Sequence, residues 1–201
     1  YTELAQWKDK FLDLSDMDLV QHIDQKYLDA GTVDGKVIGI PATIEAFGFL
    51  YNKDVLDEAV GGNFDPNSVK SREDLEILMG KIDQLDEKSA IEVSPLDWSL
   101  GAHYTNLFFT NQSEEQGERA KFMTDMQGGI VGLSENQVFQ NWVDTFDMMK
   151  TYNSAAKSPL SADYDSATLA LANGDVGLWF MGNWAYPQLK EANPDANIGI
   201  L

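Results

Sequence analysis

Asn173-Gly-Asp-Val-Gly-Leu-Trp-Phe-Met-Gly-Asn-Trp-Ala-Tyr-Pro187 compresses a helix stop, a strand and a helix start into one short run. The residues before it, Ser166 to Ala172, have the apolar content of a buried helix, and Gly174 falls where such a helix needs a left-handed residue to end. Val176 to Phe180 is an apolar run of buried-strand length. Gly182-Asn183 then turns the backbone, and Trp184 to Ala192 reads as the next helix. Ligands of open α/β sheets bind beyond the carboxyl ends of the strands, and Trp184 stands at such an end. An indole there can cover a ligand face while its N–H bonds outward. It can equally be a core tryptophan, and spacing alone does not separate the two.

Outward from this stretch, strands alternate with helices, the pattern of an α/β protein. Towards the N-terminus, Thr2 to Leu12 reads as a helix with Leu4, Trp7, Phe11 and Leu12 near one face. Ser15 or Asp16 can cap a second helix through Leu28, with Leu19, Val20, Ile23 and Tyr27 inward. Asp34-Gly35 marks a hairpin between Thr32-Val33 and Lys36 to Ile40. Phe47, Phe49 and Tyr51 alternate with Gly48 and Leu50, which suits a strand covered on both faces. A short helix, Asp54 to Val60, stops at Gly61-Gly62. Ser71 with Asp74 resembles a capping box ahead of Leu75, Leu78, Met79, Ile82 and Leu85. Ala90 to Val93 reads as a strand, and Ser94-Pro-Leu-Asp-Trp98 as the next strand-to-helix junction. Asn111 to Glu118 reads as a polar loop, and Phe122 to Gly132 shows no clear period. Ser134 with Gln137 predicts the cap of a long helix carrying Val138, Trp142, Phe146, Met149 and Tyr152. Ile198 to Leu201 reads as a last strand. A domain boundary falls near Thr43, giving 1–43 and 44–201.

Composition excludes several functions. The chain has 201 residues, 43% of them hydrophobic, enough for a substantial core. Its net charge of −19 opposes nucleic acid and anionic membrane as direct partners. There are no cysteines, so thiolate catalysis, disulfides and cysteine metal sites are out. No apolar run approaches the roughly 18 residues of a spanning helix.

Catalytic motifs are sparse. His22 and His103 stand in separate predicted helices, outside any metal-ligand spacing, and read as surface or core histidines. No phosphate loop, dinucleotide glycine pattern or nucleophile elbow occurs. Glu45 and Asp97 each lie beside a predicted strand end, so a carboxylate pair for glycoside hydrolysis stays open. Asp163 and Asp165 lack the later glycine and glutamate of a calcium loop, and Asp165 reads as a helix cap. What remains is a set of aromatic and polar residues at junctions: Trp98 beside Asp97, Trp184 beside Asn183, and Glu45 ahead of Phe47. Flat rings with carboxylates and amides at their rim suit sugars, which have apolar faces and hydroxyl edges.

Three stretches carry a family resemblance. Asp34-Gly-Lys-Val-Ile-Gly-Ile-Pro41, continued by Gly48-Phe-Leu-Tyr-Asn-Lys53, resembles the crossover region of the extracellular solute-binding proteins of sugar ABC transporters. Asp163-Tyr164 followed by Leu171 to Ala185 resembles that family's late signature, and Ala192-Asn-Pro-Asp-Ala-Asn-Ile-Gly199 fits as well. The resemblance implies a periplasmic-binding-protein-like (type II) fold of two α/β lobes with ligand held between them. This chain would supply part of the first lobe and most of the second, as the middle of a longer protein. It implies a non-catalytic sugar or oligosaccharide receptor without a cofactor, monomeric and delivering to an ABC permease. Its place would be extracellular or periplasmic, with a lipid tether. Trp184 matches the family's stacking tryptophan and Glu45 an acid on the crossover. Trp98, with Asp97, matches a loop that supplies an aromatic, and Asn183 flanks the stacking position. A non-sugar solute, such as a polyamine or peptide, on the same fold is a further alternative.

Overall fold

The computed structural model describes residues 2–201. The chain divides into two compact units, one ending at Glu45 and the other running from Ala46 to Leu201.

The first unit consists of short pieces. Helix α1 (Thr2–Gln6) is followed by a single 3₁₀ turn, Lys8–Lys10. The expected helix to Leu12 therefore breaks early, and Trp7, Phe11 and Leu12 are exposed. The second expected helix is two, α2 (Asp18–Gln21) and α3 (Gln25–Leu28). Neither Ser15 nor Asp16 caps α2, whose N-cap is Met17 without a side-chain bond, while Asp24 caps α3, its carboxylate accepting the Lys26 N–H. Ser15 instead accepts the Val37 N–H at its hydroxyl, 3.1 Å away. Of the four residues expected inward, Val20 is buried but Leu19 is exposed. The hairpin forms at the expected turn, from β1 (Thr32–Val33) and β2 (Lys36–Val37), but its second strand stops short of the expected Ile40. Asp34 and Gly35 take φ of 51° and 78°, the paired left-handed conformation that a two-residue turn matching strand twist requires. Val20, Leu28 and Val37 form this unit's small core.

The second unit is a four-stranded sheet between two helical layers. Its strands are β3 (Phe47–Asn52), β4 (Ser89–Glu92), β5 (Val176–Gly182) and β6 (Ile198–Ile200). Their spatial order is β4-β5-β3-β6. Only β4 and β5 run parallel; β3 is antiparallel to both β5 and β6, so the sheet is mixed. Apolar runs report burial on both faces but not strand direction. β5 is buried along its whole length. Trp179 and Met181 point to one face, with Leu50, Leu171 and Leu189; Leu178 and Phe180 point to the other, with Leu56, Met79, Ile82 and Met149.

The helices start and stop where polar side chains satisfy their free ends. Asn52 caps α4 (Lys53–Val60), and its Nδ2 also donates to the Leu171 carbonyl at 2.9 Å. Gly61, at φ 69°, ends that helix. Ser71 caps α5 (Arg72–Ile82), while the Asp74 carboxylate accepts from the Lys70 N–H and the Ser71 hydroxyl. A π-helix over Asp97–Tyr104 runs into α6 (Thr105–Thr110). The region without a clear period is helical as far as Gln127, in α7 (Gln116–Gln127), which begins inside the expected polar loop and exits through Gly128-Gly129. Ser134 is not the cap of α8 (Gln137–Thr151): Asn136 is, accepting the Phe139 N–H at 2.8 Å. Likewise Asp163, not Asp165, caps α9 (Tyr164–Asn173), in a reciprocal box with Ser166. The helix expected from Trp184 opens with a 3₁₀ turn, Asn183–Ala185, before α10 (Tyr186–Ala192).

Candidate functional site

The register of the second unit sets the site. Phe47, the first residue of β3, lies opposite Gly182, the last of β5, and β4 runs parallel beside β5. One edge of the sheet therefore collects the carboxyl ends of β4 and β5, where the chain leaves for the π-helix and for the 3₁₀ turn. That is where open α/β sheets present ligand-binding groups.

The segments leaving this edge converge on aromatic rings. Trp98 from the π-helix and Trp184 from the 3₁₀ turn meet with ring centroids 6.2 Å apart, edge to face. His103 touches both, at 5.5 Å from Trp98 and 4.9 Å from Trp184, and stacks on Phe47 at 4.8 Å. Tyr164, at the start of α9, joins from the other side at 6.1 Å from Trp98 and anchors the group on the buried Trp179 at 5.2 Å. Trp98 is 38% exposed; His103, Tyr164 and Trp184 are half-buried.

The π-helix makes the Trp98–His103 contact possible. Residues five apart lie about 140° apart around an α-helix. A π-helix closes its hydrogen bonds between residues five apart and so brings them to one face. Gly182 makes room for Trp184: a Cβ at that glycine would run into the indole ring.

The hydrogen-bonding state of these rings distinguishes them from the core aromatics. Trp179 donates its indole N–H to the Ser94 hydroxyl at 3.1 Å, and Trp142 donates to the Tyr104 carbonyl at 3.0 Å. The Tyr104 hydroxyl returns a bond to the Trp142 carbonyl, and burial pushes its phenol pKa up. Among the described residues, by contrast, the indole nitrogens of Trp98 and Trp184, both ring nitrogens of His103 and the Tyr164 hydroxyl have no protein partner. Burial also raises the Tyr164 phenol, with the Asp165 carboxylate adding to it. The result is an apolar platform whose polar rim is unspent.

Of the residues expected to contact ligand, Trp98 and Trp184 meet. Asp97 is exposed beside them, and its carboxylate accepts the main-chain N–H of Trp98 at 2.7 Å. The Asn183 side chain ties down backbone instead, its Oδ1 accepting the Ala46 N–H at 3.1 Å while its own main-chain N–H donates to the Ala46 carbonyl at 2.9 Å. Glu45 is exposed and belongs to the first unit, whereas Asp97 belongs to the second. Sequence reasoning missed His103 and Tyr164. An α-helical period sets His103 on the face away from Trp98, and Tyr164 sits between two acids that read first as a metal candidate. Among the described residues no group of three His, Asp or Glu could hold a metal ion.

At the end of β4, in register with Trp179, the chain carries a buried acid that sequence reasoning also passed over. Glu92 is 5% exposed; the Ser154 hydroxyl donates to its Oε2, and its Oε1 has no partner among the described residues. Burial raises its pKa, against the opposing effect of the Ser154 hydrogen bond. Of two surface grooves of about 420 and 440 Å³, the first lies against α6 and α8; the second, over β3 by Leu201, reaches the platform at Phe47, and neither includes Trp98 or Trp184.

Comparison with known structures returns the same architecture. The chain is 24% identical to SBP RafE in complex with raffinose, matching all of this chain and 51% of that one with a TM-score of 0.80. The apo form of RafE from Streptococcus pneumoniae matches equally, at 24% identity and TM-score 0.80 over 50% of its length. A sugar transporter from Bacillus licheniformis in complex with stachyose is 19% identical, with a TM-score of 0.65 over 98% of this chain and 50% of that one. The chain thus spans about half the length of these structures. Comparison with curated proteins finds no match. The family model of the bacterial extracellular solute-binding proteins matches residues 2–201, and the chain, a two-lobe-type α/β fold with an aromatic platform at its strand ends, belongs to that family.

Proposed function

We propose that the second unit, Ala46 to Leu201, supplies the ring-stacking wall of a carbohydrate receptor that serves an ABC importer. The observation that carries this reading is the Trp98–His103–Trp184 platform, whose rings are part-exposed and whose polar edges have no protein partner among the described residues. Sugar rings need both at once: a flat apolar face to lie on and donors at the rim for their hydroxyls. Rings spaced 4.8–6.2 Å apart from Phe47 to Tyr164 offer more face than one pyranose covers, which favours an oligosaccharide. Matched structures that hold raffinose and stachyose agree with that size, while one bound with α-D-tagatose keeps a monosaccharide within the test below. The first lobe of the family's architecture would close the other side, with Glu45 on the crossover as a polar contact, and the loaded receptor would dock on permease subunits from outside the cell, held by a lipid tether. Binding needs no cofactor and leaves the ligand intact.

The test is calorimetric titration of the intact protein with raffinose, stachyose, maltooligosaccharides and monosaccharides, with chromatography of the ligand afterwards. Saturable binding of at least one oligosaccharide, recovered uncleaved, is the expected result. Turnover that disappears in Glu45→Gln would replace this reading with a glycoside hydrolase. Binding confined to polyamines or peptides would replace it with a non-sugar receptor.

A further inference from the structure

Resting on the carbohydrate reading, we infer that His103 is a specificity-determining ligand contact, reading a sugar hydroxyl through a ring nitrogen while its ring face completes the platform. Three observations converge on it. First, His103 is central: it stacks on Phe47 with an interplanar angle of 21° and touches both Trp98 and Trp184. A group that only filled space between these rings would be better served by an apolar side chain, since a half-buried imidazole must satisfy its nitrogens. Second, neither nitrogen has a partner among the described residues and neither is sealed from solvent, so both stay open to a ligand. His22 shows the ordinary case in this chain, with its Nδ1 2.8 Å from the Asp18 carbonyl. Third, the backbone adopts a π-helix that brings His103 to the face of Trp98. π-helical register is rare and concentrates at functional positions.

The chemistry follows from the imidazole's two unlike nitrogens. In the neutral ring one donates and the other accepts, so His103 can meet a hydroxyl in either sense. The indole nitrogens of Trp98 and Trp184 only donate. Apart from the Tyr164 hydroxyl, His103 therefore supplies the platform's only side-chain acceptor among its five rings. A site with that acceptor distinguishes a sugar bearing the matching hydroxyl from one lacking it, because loss of either partner leaves the other unpaired.

The experiment is a cycle on the intact protein. His103→Phe keeps an aromatic ring between Phe47 and Trp184 but removes both nitrogens. It is titrated with the tightest-binding saccharide and with that saccharide's monodeoxy analogues, in parallel with wild type. The expected result is about tenfold weaker binding of the parent sugar by the variant, the size of one hydrogen bond. One analogue should bind the wild type about tenfold more weakly than the parent does, yet show no further loss in the variant, since the two changes remove the same contact. His103→Gln, which gives up the ring but keeps a donor and an acceptor, should still discriminate against that analogue, and it carries the test should the Phe variant fold poorly. Equal affinity of His103→Phe and wild type for the parent sugar overturns the inference. So does a full additive loss for every analogue in both proteins. A wild type that binds no saccharide overturns the carbohydrate reading itself and the inference with it, an outcome distinct from wild-type binding that the variant matches.

Discussion

Trp184 and Trp179 lie five residues apart on one segment and have opposite fates. Trp179 is fully buried in β5 with its indole N–H given to Ser94, while Trp184 turns out over Gly182 with its indole N–H unspent among the described residues. Their truncations should separate accordingly. Trp184→Ala should weaken saccharide binding by about 1–3 kcal/mol, the loss of an aromatic contact and its buried area. Its stability cost should stay below that of a fully buried tryptophan, because part of its surface is already open. Trp179→Ala should cost about 3–5 kcal/mol of stability. Titration and a denaturant melt on both variants check this. Unchanged affinity with a large stability loss in Trp184→Ala would remove that residue from the site.

Gly182→Ala tests the same wall from the backbone side. The added methyl would occupy the space of the Trp184 ring, which must swing away while the strand pairing with Phe47 persists. Saccharide affinity should fall about tenfold or more, with altered tryptophan fluorescence and little change in far-ultraviolet circular dichroism. A variant that binds as wild type shows that the indole reaches the ligand by another route.

Deleting Gly101 tests the π-helix. Its Cβ position faces open space, so the residue itself contributes no packing. Removing one residue should return the turn to α-helical register and carry Trp98 and His103 to different faces. The expected outcome is loss of binding with a folded protein, seen as a weakened near-ultraviolet aromatic signal and a cooperative melt. Retained affinity would show that the Trp98–His103 contact is dispensable.

Glu92 should leave a mark on stability against pH. Burial holds its carboxyl above the ordinary value of 4.5, so the folded chain keeps a proton that the unfolded chain releases. Stability from this group is therefore full below the ordinary value, falls as pH rises through the raised folded value, and is lost above it. Glu92→Gln, which cannot ionise, should flatten this decline. Denaturant midpoints of both proteins across about pH 4–8 measure it. A parallel pH dependence in the two proteins would mean that Glu92 is not the group responsible.

Local patterns carried much of the fold. The Asp34-Gly35 hairpin, the stop at Gly61, the apolar face of α5 and the helix–strand succession around Gly174 all depend on residues within a few positions of one another, so the sequence displays them directly. Elements that failed were also local in origin. Several polar residues lie close together before α8 and α9, and only the folded backbone decides whether Ser134 or Asn136, Asp165 or Asp163, stands at the capping position. In the first unit, apolar residues recurring at helical spacing predict two continuous helices, yet the structure breaks both.

By itself, then, the sequence determined the α/β class of fold, the strand that starts at Val176, though it runs on to Gly182 and not only to Phe180, and the helix start that carries Trp184. Each of these follows from apolar periodicity and from glycine where a left-handed residue or a close approach is needed. Strand direction, and with it the arrival of Phe47 beside Gly182, was decided only by tertiary pairing, because a buried strand has the same composition either way. The company of Trp98, His103 and Tyr164 around Trp184 was likewise a tertiary outcome. It depends on a π-helical register that no period in the sequence announces, and on three segments far apart in the chain ending at one edge of one sheet.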